Sequence, residues 1–275
     1  MDAWPRGRSV AFALQACLGL LMLAGGCCSS RAGAQSLARS ERLQHTRSLA
    51  SAHQSAPNTT RGGSREASSL GPAHSALPNG RAIADLDMRE CQRLLERARV
   101  SFENVPGDAA PQVYAPVYVT SALSGVSFGA HNGLAEQSML DCRLAVALLA
   151  WAPFLQQAGV VRVEHYSTYR PGARVARSSR KSGHARALAI DAARFHLEDG
   201  RVLEVDADWD ERERGGDPCG ERRREDEAGR LLRRVVCDAV QNGLFQVVLT
   251  PHHDRAHQNH VHLELVPGVD WSYVH

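Results

Sequence analysis

Apolar positions recur at helical spacing through Leu86, Cys91, Leu94, Leu95 and Ala98, which predicts an amphipathic helix where folded sequence begins, near Ile83. Val113 to Thr120 is β-branched and aromatic, and Pro116 within it points to an edge strand or a bulge. A second helix is expected from about Gln137 to Gln157. Its stretch Leu144 to Trp151 is apolar enough to be buried, Pro153 should kink it, and Gly159 should end it. Val160 to Thr168 reads as a strand. Ala187 to His196 and Arg201 to Val205 flank Glu198-Asp199-Gly200, which predicts a hairpin with a glycine in its turn. Asp206 to Asp226 is charged, holds Cys219 and reads as a loop. Leu231, Leu232, Val235, Val236, Ala239 and Val240 define a third helix closed by Asn242-Gly243, and Phe245 to Leu249 and His260 to Val266 are the last strands. Helices and antiparallel strands in separate runs predict an α+β domain of about 190 residues, with no internal repeat: an antiparallel sheet flanked by about three helices.

The first third of the chain has no such pattern. Met1 to Ser9 is short and basic, Val10 to Leu23 is nearly all apolar, and small residues follow, as in a secretory signal too short to span a bilayer. Two exits compete. Ala24-Gly25-Gly26-Cys27 resembles a lipoprotein cleavage box, with Cys27 acylated and residues 1–27 as the signal, whereas Ala32-Gly33-Ala34 suits ordinary cleavage near residue 34. The lipoprotein exit is favoured, and either one places the mature protein outside the cytoplasm, secreted or in the cell envelope. From about Gln35 to Asn79 Ser, Ala, Arg, Gly and His dominate, so residues 28–82 are expected to be a disordered linker, and a tether if Cys27 carries lipid. Residues 83–275 form the domain.

Composition adds two constraints. Of seven cysteines, Cys91, Cys142, Cys219 and Cys237 belong to the domain, an even number suited to an oxidising compartment. Four cysteines allow three pairings, and the expected one is Cys91–Cys142 with Cys219–Cys237. The net charge of only +2 carries no polyanion-binding signature, and the Arg-rich run from Arg212 to Arg234 is interleaved with Glu and Asp, so no nucleic-acid partner is expected. Membrane contact is expected only through a lipid anchor, and the protein is taken as a monomer.

The chemistry gathers in two stretches, Ser182-Gly-His184-Ala-Arg-Ala-Leu-Ala-Ile-Asp191 and His260-Val-His262-Leu-Glu264. Side chains alternate along a strand, so His260, His262 and Glu264 share one face while Val261, Leu263 and Leu265 face the core. A carboxylate at Asp191, among Leu188, Ile190 and Ala193, calls for a charge partner or a cation, and a surface pairing with Arg186 or Arg194 is the plain alternative. Two imidazoles and a carboxylate form a ligand set suited to zinc with an open fourth position. His131, His165, His196, His252, His253 and His275 have no matching partner and read as surface or structural.

Ser-x-His-x(6)-Asp followed by a late His-x-His resembles the zinc metallopeptidase superfamily of D-alanyl-D-alanine carboxypeptidases, lysostaphin-type endopeptidases and hedgehog-like domains. Val248-Leu-Thr-Pro251 followed by His257-Gln-Asn-His260-Val-His262-Leu-Glu264 resembles more closely the bacterial extensin-like C-terminal domain family, over roughly Cys91 to Val266. The resemblance implies that His184, Asp191 and His262 bind Zn2+ and that His260 is the catalytic base or stabiliser. It also implies that Arg170, in Tyr166-Ser-Thr-Tyr-Arg170-Pro171, lies near the substrate carbonyl, with His257 orienting the site from outside. It further implies peptide hydrolysis, with peptidoglycan peptide as substrate; the alternative is a non-catalytic, zinc-stabilised cell-wall binding domain. One departure stands out. Where the superfamily has Gly three residues after the first zinc histidine, this chain has Ala187.

Overall fold

Helix α3 (Cys142–Gln157) is apolar on nearly every side, and the remaining elements close around it. Buried Asp141 caps it, accepting from the Arg143 amide at 3.1 Å and from the Arg143 guanidinium at 2.8 Å on each oxygen. The same guanidinium donates to the Ala84 carbonyl at 3.1 Å, anchoring α1 (Gly80–Ala84). The structure, a computed structural model, describes residues 77–134, 138–209, 215–220 and 226–275. The expected signal 1–27, the acylated Cys27 and the linker as far as residue 76 lie outside these residues, as does much of the Arg-rich run.

α3 starts at Cys142 rather than near Gln137, because Leu140–Asp141 is taken up as strand β4. Pro153 lies inside the helix, which continues to Gln157 and stops where Gly159 adopts φ 77°. Trp151 marks the centre of the core. Its Nε1 donates to the Val235 carbonyl at 2.9 Å, and its ring meets Phe195 and Phe245 edge-on at 6.0 and 6.2 Å. Helix α2 (Met88–Arg97), capped by Asp87, and helix α5 (Glu227–Gln241), capped by Asp226, pack their apolar faces onto this core. Two disulfides staple it in the expected pairing, Cys91–Cys142 between α2 and α3 and Cys219–Cys237 between a loop and α5.

Strands β1 (Phe102–Asn104), β2 (Pro116–Val119) and β4 form a small antiparallel sheet in the order β1-β2-β4. Pro116 therefore belongs to the central strand, not an edge, and is tolerated because it is the first residue of that strand. The larger sheet comprises β3 (Ser127–Ala130), β5 (Val160–His165), β6 (Ala189–Leu197), β7 (Val202–Glu204), β8 (Val247–Leu249), β9 (Val261–Glu264) and β10 (Tyr273–Val274). Its order is β10-β8-β9-β6-β5-β3, with β7 also on β6 in the expected hairpin.

The expected antiparallel sheet is corrected to a mixed one. β3 pairs parallel with β5, and β10 pairs parallel with β8. Parallel neighbours need a crossover, and α3 lies in the chain between β3 and β5. The middle of the sheet, β5-β6-β9-β8, is antiparallel throughout. Three long helices match the expectation, and the described residues add the short α1 and α4 (Val205–Asp208).

Candidate metal centre

Register brings the two sequence motifs together. On the antiparallel pair β6·β9, Asp191 stands directly opposite His262, so the two side chains rise from the same face. His184 arrives from the 3-10 turn Gly183–Arg186 that leads into β6, capped by the Ser182 side chain. The turn is held to the rest of the fold by the Arg170 amide donating to the His184 carbonyl at 3.0 Å and the Asp141 amide donating to the Ala187 carbonyl at 2.9 Å. Gly183 is required for close approach, since a Cβ there would fall 2.5 Å from the Glu264 carboxyl carbon.

His184 Nε2, Asp191 Oδ1 and His262 Nδ1 form a nearly equilateral triangle with edges of 2.9, 2.9 and 3.1 Å. All three residues are buried. The outward nitrogens of both rings face acceptors that fix them as N–H: His184 Nδ1 donates to the Thr168 carbonyl at 3.2 Å, and His262 Nε2 donates to the Glu264 carboxylate at 3.0 Å. Neutral rings so fixed turn lone pairs inward, and three acceptor atoms then meet at hydrogen-bond distance. A proton on His262 Nδ1 relieves two edges of the triangle and leaves His184 Nε2 against Asp191 Oδ1, acceptor to acceptor. A cation satisfies all three edges.

The donor set fits zinc on these grounds. Bonds of about 2.0–2.1 Å in a tetrahedral shell put donor atoms ~3.3 Å apart, a slight widening of the observed triangle. Glu264 and the Thr168 carbonyl supply the outer acceptors that orient metal-binding imidazoles. The electrostatics agree. Burial opposes charge on Asp191, yet the flanking imidazoles hold it well below the usual carboxylate range. Burial likewise opposes charge on His262, and the carboxylates of Asp191 and Glu264, one at each ring nitrogen, raise it to about 9. His184 is pushed down by burial.

His260 precedes β9 and shares the face of His262. Its Nδ1 donates to Asn259 Oδ1 at 2.8 Å, which leaves the Nε2 lone pair 3.5 Å from Asp191 Oδ1. Burial lowers it to about 4, so the ring is neutral near pH 7. Tyr166 packs edge-on against it at 5.8 Å. Arg170 keeps half of its side chain in solvent, and its Nη2 lies 3.5 Å from Asp191 Oδ2. His257 sits at the rim, its ring 5.2 Å from His260 and 6.0 Å from His262, while its Nδ1 donates to Asp254 at 2.6 Å. Every residue expected at the site therefore lies within or beside one cluster. Arg194, the surface partner considered for Asp191, pairs with Glu164 and Glu204.

The family described as Extensin-like protein C-terminus matches residues 89–273. The chain belongs to that family. No curated protein and no solved structure matches the chain significantly.

The matched residues enclose the whole cluster, from α2 to β10 of the extensin-like domain. Ala187, the departure from the expected glycine, closes the 3-10 turn with φ 53° and ψ 29°. This left-handed backbone is the physical reason a glycine suits the position, and an alanine there carries strain of about 1–2 kcal/mol. Three further residues have roles that spacing alone did not assign. The Thr168 carbonyl and the Asn259 side chain fix the tautomers of His184 and His260, and Tyr166 packs against His260. Glu264 was legible as a same-face neighbour of His262, but its hydrogen bond was not.

Proposed function

We propose that the extensin-like domain is a zinc-dependent peptidase acting on the peptides of the bacterial cell wall. The observation that carries the metal assignment is the 2.9–3.1 Å triangle of His184 Nε2, Asp191 Oδ1 and His262 Nδ1, each imidazole locked from behind. The substrate class rests on the superfamily resemblance and on the export signal expected from the sequence.

Bound there, zinc would supply Lewis-acid polarisation of a carbonyl and lower the pKa of water toward ~7. The chain's own residues supply the rest. His260, neutral and with Nε2 facing the cluster, accepts a proton from the attacking water and returns it to the leaving amine. Asn259 keeps that nitrogen oriented, and the edge of Tyr166 restricts the ring. Arg170, anchored near Asp191 yet open to solvent, grips a substrate carboxylate or the oxyanion that forms on the carbonyl. Glu264 fixes the His262 ring and adds negative charge behind it.

The test is digestion of purified cell-wall peptide by the zinc-loaded protein, read as release of new amino termini. His260→Ala should retain the ion and lose about 10²–10⁴-fold in rate. Zinc retained by the wild type with no new amino termini would replace this reading with that of a metal-stabilised wall-binding domain.

A further inference from the structure

The loop between β8 and β9 carries a second group of donors that the peptidase reading does not use as ligands. His252 turns inward, buried against Trp209 at 6.1 Å between ring centres. His253, Asp254 and His257 instead lie at the half-exposed surface, and one donor atom from each lies within 4.8 Å of the other two. Their spacing is His-Asp-x-x-His. The two histidines are four residues apart across the single 3-10 turn Arg255–His257, a separation typical of paired zinc histidines.

The turn is already organised. Asp254 Oδ1 caps it, accepting from the Ala256 amide at 2.9 Å and the His257 amide at 3.2 Å. It also accepts His257 Nδ1–H at 2.6 Å, so an ion bound between that nitrogen and the carboxylate would take the place of this proton. Asp254 Oδ2 lies 3.6 Å from His253 Nε2, longer than a hydrogen bond, so this pair is close without being satisfied. The rings of Tyr273 and His275 stand 6.0 and 5.9 Å from His253 and wall the other side.

We propose that His253, Asp254 and His257 form a second divalent-cation site of the zinc class, weaker than the inner one and open to solvent. Opening the 2.6 Å contact between His257 Nδ1 and Asp254 and drawing His253 Nε2 in from 3.6 Å toward the ~3.3 Å of a tetrahedral shell requires side-chain rotation, which a half-exposed loop allows and which lowers affinity. The site borders the inner cluster through His257, whose ring lies 5.2 Å from His260. An ion there would stand beside the proposed base, which gives the domain a route to inhibition by excess metal. That last consequence rests on the peptidase reading; the binding itself does not.

Zinc titration of the full chain by calorimetry tests it. The wild type should show a tight event followed by a weaker one. His253→Ala should lose only the weaker event, and Asp254→Asn, which keeps a capping oxygen, should weaken it by at least ~10-fold. His262→Ala should lose the tight event and keep the weaker one, and His262→Ala combined with His253→Ala should bind nothing. A wild type without a weaker event overturns the proposal, as does a weaker event unchanged in His253→Ala when thermal unfolding shows that variant folded. If His253→Ala abolishes binding that His262→Ala leaves intact, the outer site stands and the inner assignment falls.

Discussion

The two histidine clusters of this domain offer similar donor groups and differ in how the chain assembles them. The outer group takes its three residues from five consecutive positions on one capped turn, so little long-range structure is needed to bring them near each other. The inner group joins residues up to 78 apart in sequence, from a 3-10 turn and two strands of the mixed sheet. Once the sheet forms, register leaves the inner donors within 3.1 Å of one another, while in the outer group His253 Nε2 stays 3.6 Å from Asp254 Oδ2. Every inner imidazole is locked by an acceptor behind it, and burial strengthens each electrostatic contact. Preorganised donors bind a cation more tightly, and in the inner cluster the preorganisation comes from the sheet rather than from the local sequence.

The strongest way to break this comparison is to remove an inner ligand. Asp191→Ala or His262→Ala should abolish tightly held zinc, measured as metal retained after dialysis, and with it all hydrolysis. If either variant keeps its metal, the contrast between the clusters is wrong.

The outer acceptors come next. Glu264→Gln keeps the shape of the side chain but removes its charge behind His262, and zinc affinity should fall about 10–100-fold. A change much smaller than this would mean that the position of the His262 ring does not depend on its carboxylate.

The proton balance sharpens the contrast further. In the metal-free protein His262 is raised from its ordinary 6.5 to about 9, so zinc must displace a proton below that pH. Apparent affinity should climb about tenfold per unit from pH 7 to 9 and then level off, with a proton released per ion in calorimetry across buffers of different ionisation enthalpy. The linked stability has the opposite trend. Because the folded-state pKa lies above the unfolded one, the His262 contribution to metal-free stability is complete below pH 6.5 and is lost as pH rises through 9. Zinc affinity independent of pH would exclude His262 as a ligand.

The smallest effect concerns the turn that presents His184. Ala187→Gly should relieve the left-handed strain and stabilise the fold by about 1 kcal/mol, partly offset by the added freedom of glycine when unfolded. Thermal unfolding reads the sign. Destabilisation would mean that the Ala187 methyl, fully buried in the small cluster with Ala110, Val113 and Met139, matters more than its backbone strain.

What could be read along the chain was whatever left a periodic or spaced mark. The three long helices were visible because buried residues recur every three or four positions in α2 and α5 and run continuously through α3. The β6·β7 hairpin was visible through its Asp-Gly turn, where Gly200 indeed takes φ 87°. The period of two placed His260, His262 and Glu264 on one face before any partner was known. The strands that escaped detection are β1, β3, β4 and β10, of two to four residues each, too short to show a period and defined mainly by the neighbours they pair with.

The same division runs through the site. By itself the sequence determined which side chains could bind a cation, because ligand chemistry and strand alternation are local properties. Only the tertiary structure decided that Asp191 stands opposite His262, that the Thr168 carbonyl and Glu264 turn two lone pairs inward, and that β3 and β10 lie parallel to their neighbours. Register, tautomer and strand direction are each set by groups distant in sequence, so no window of the chain contains them.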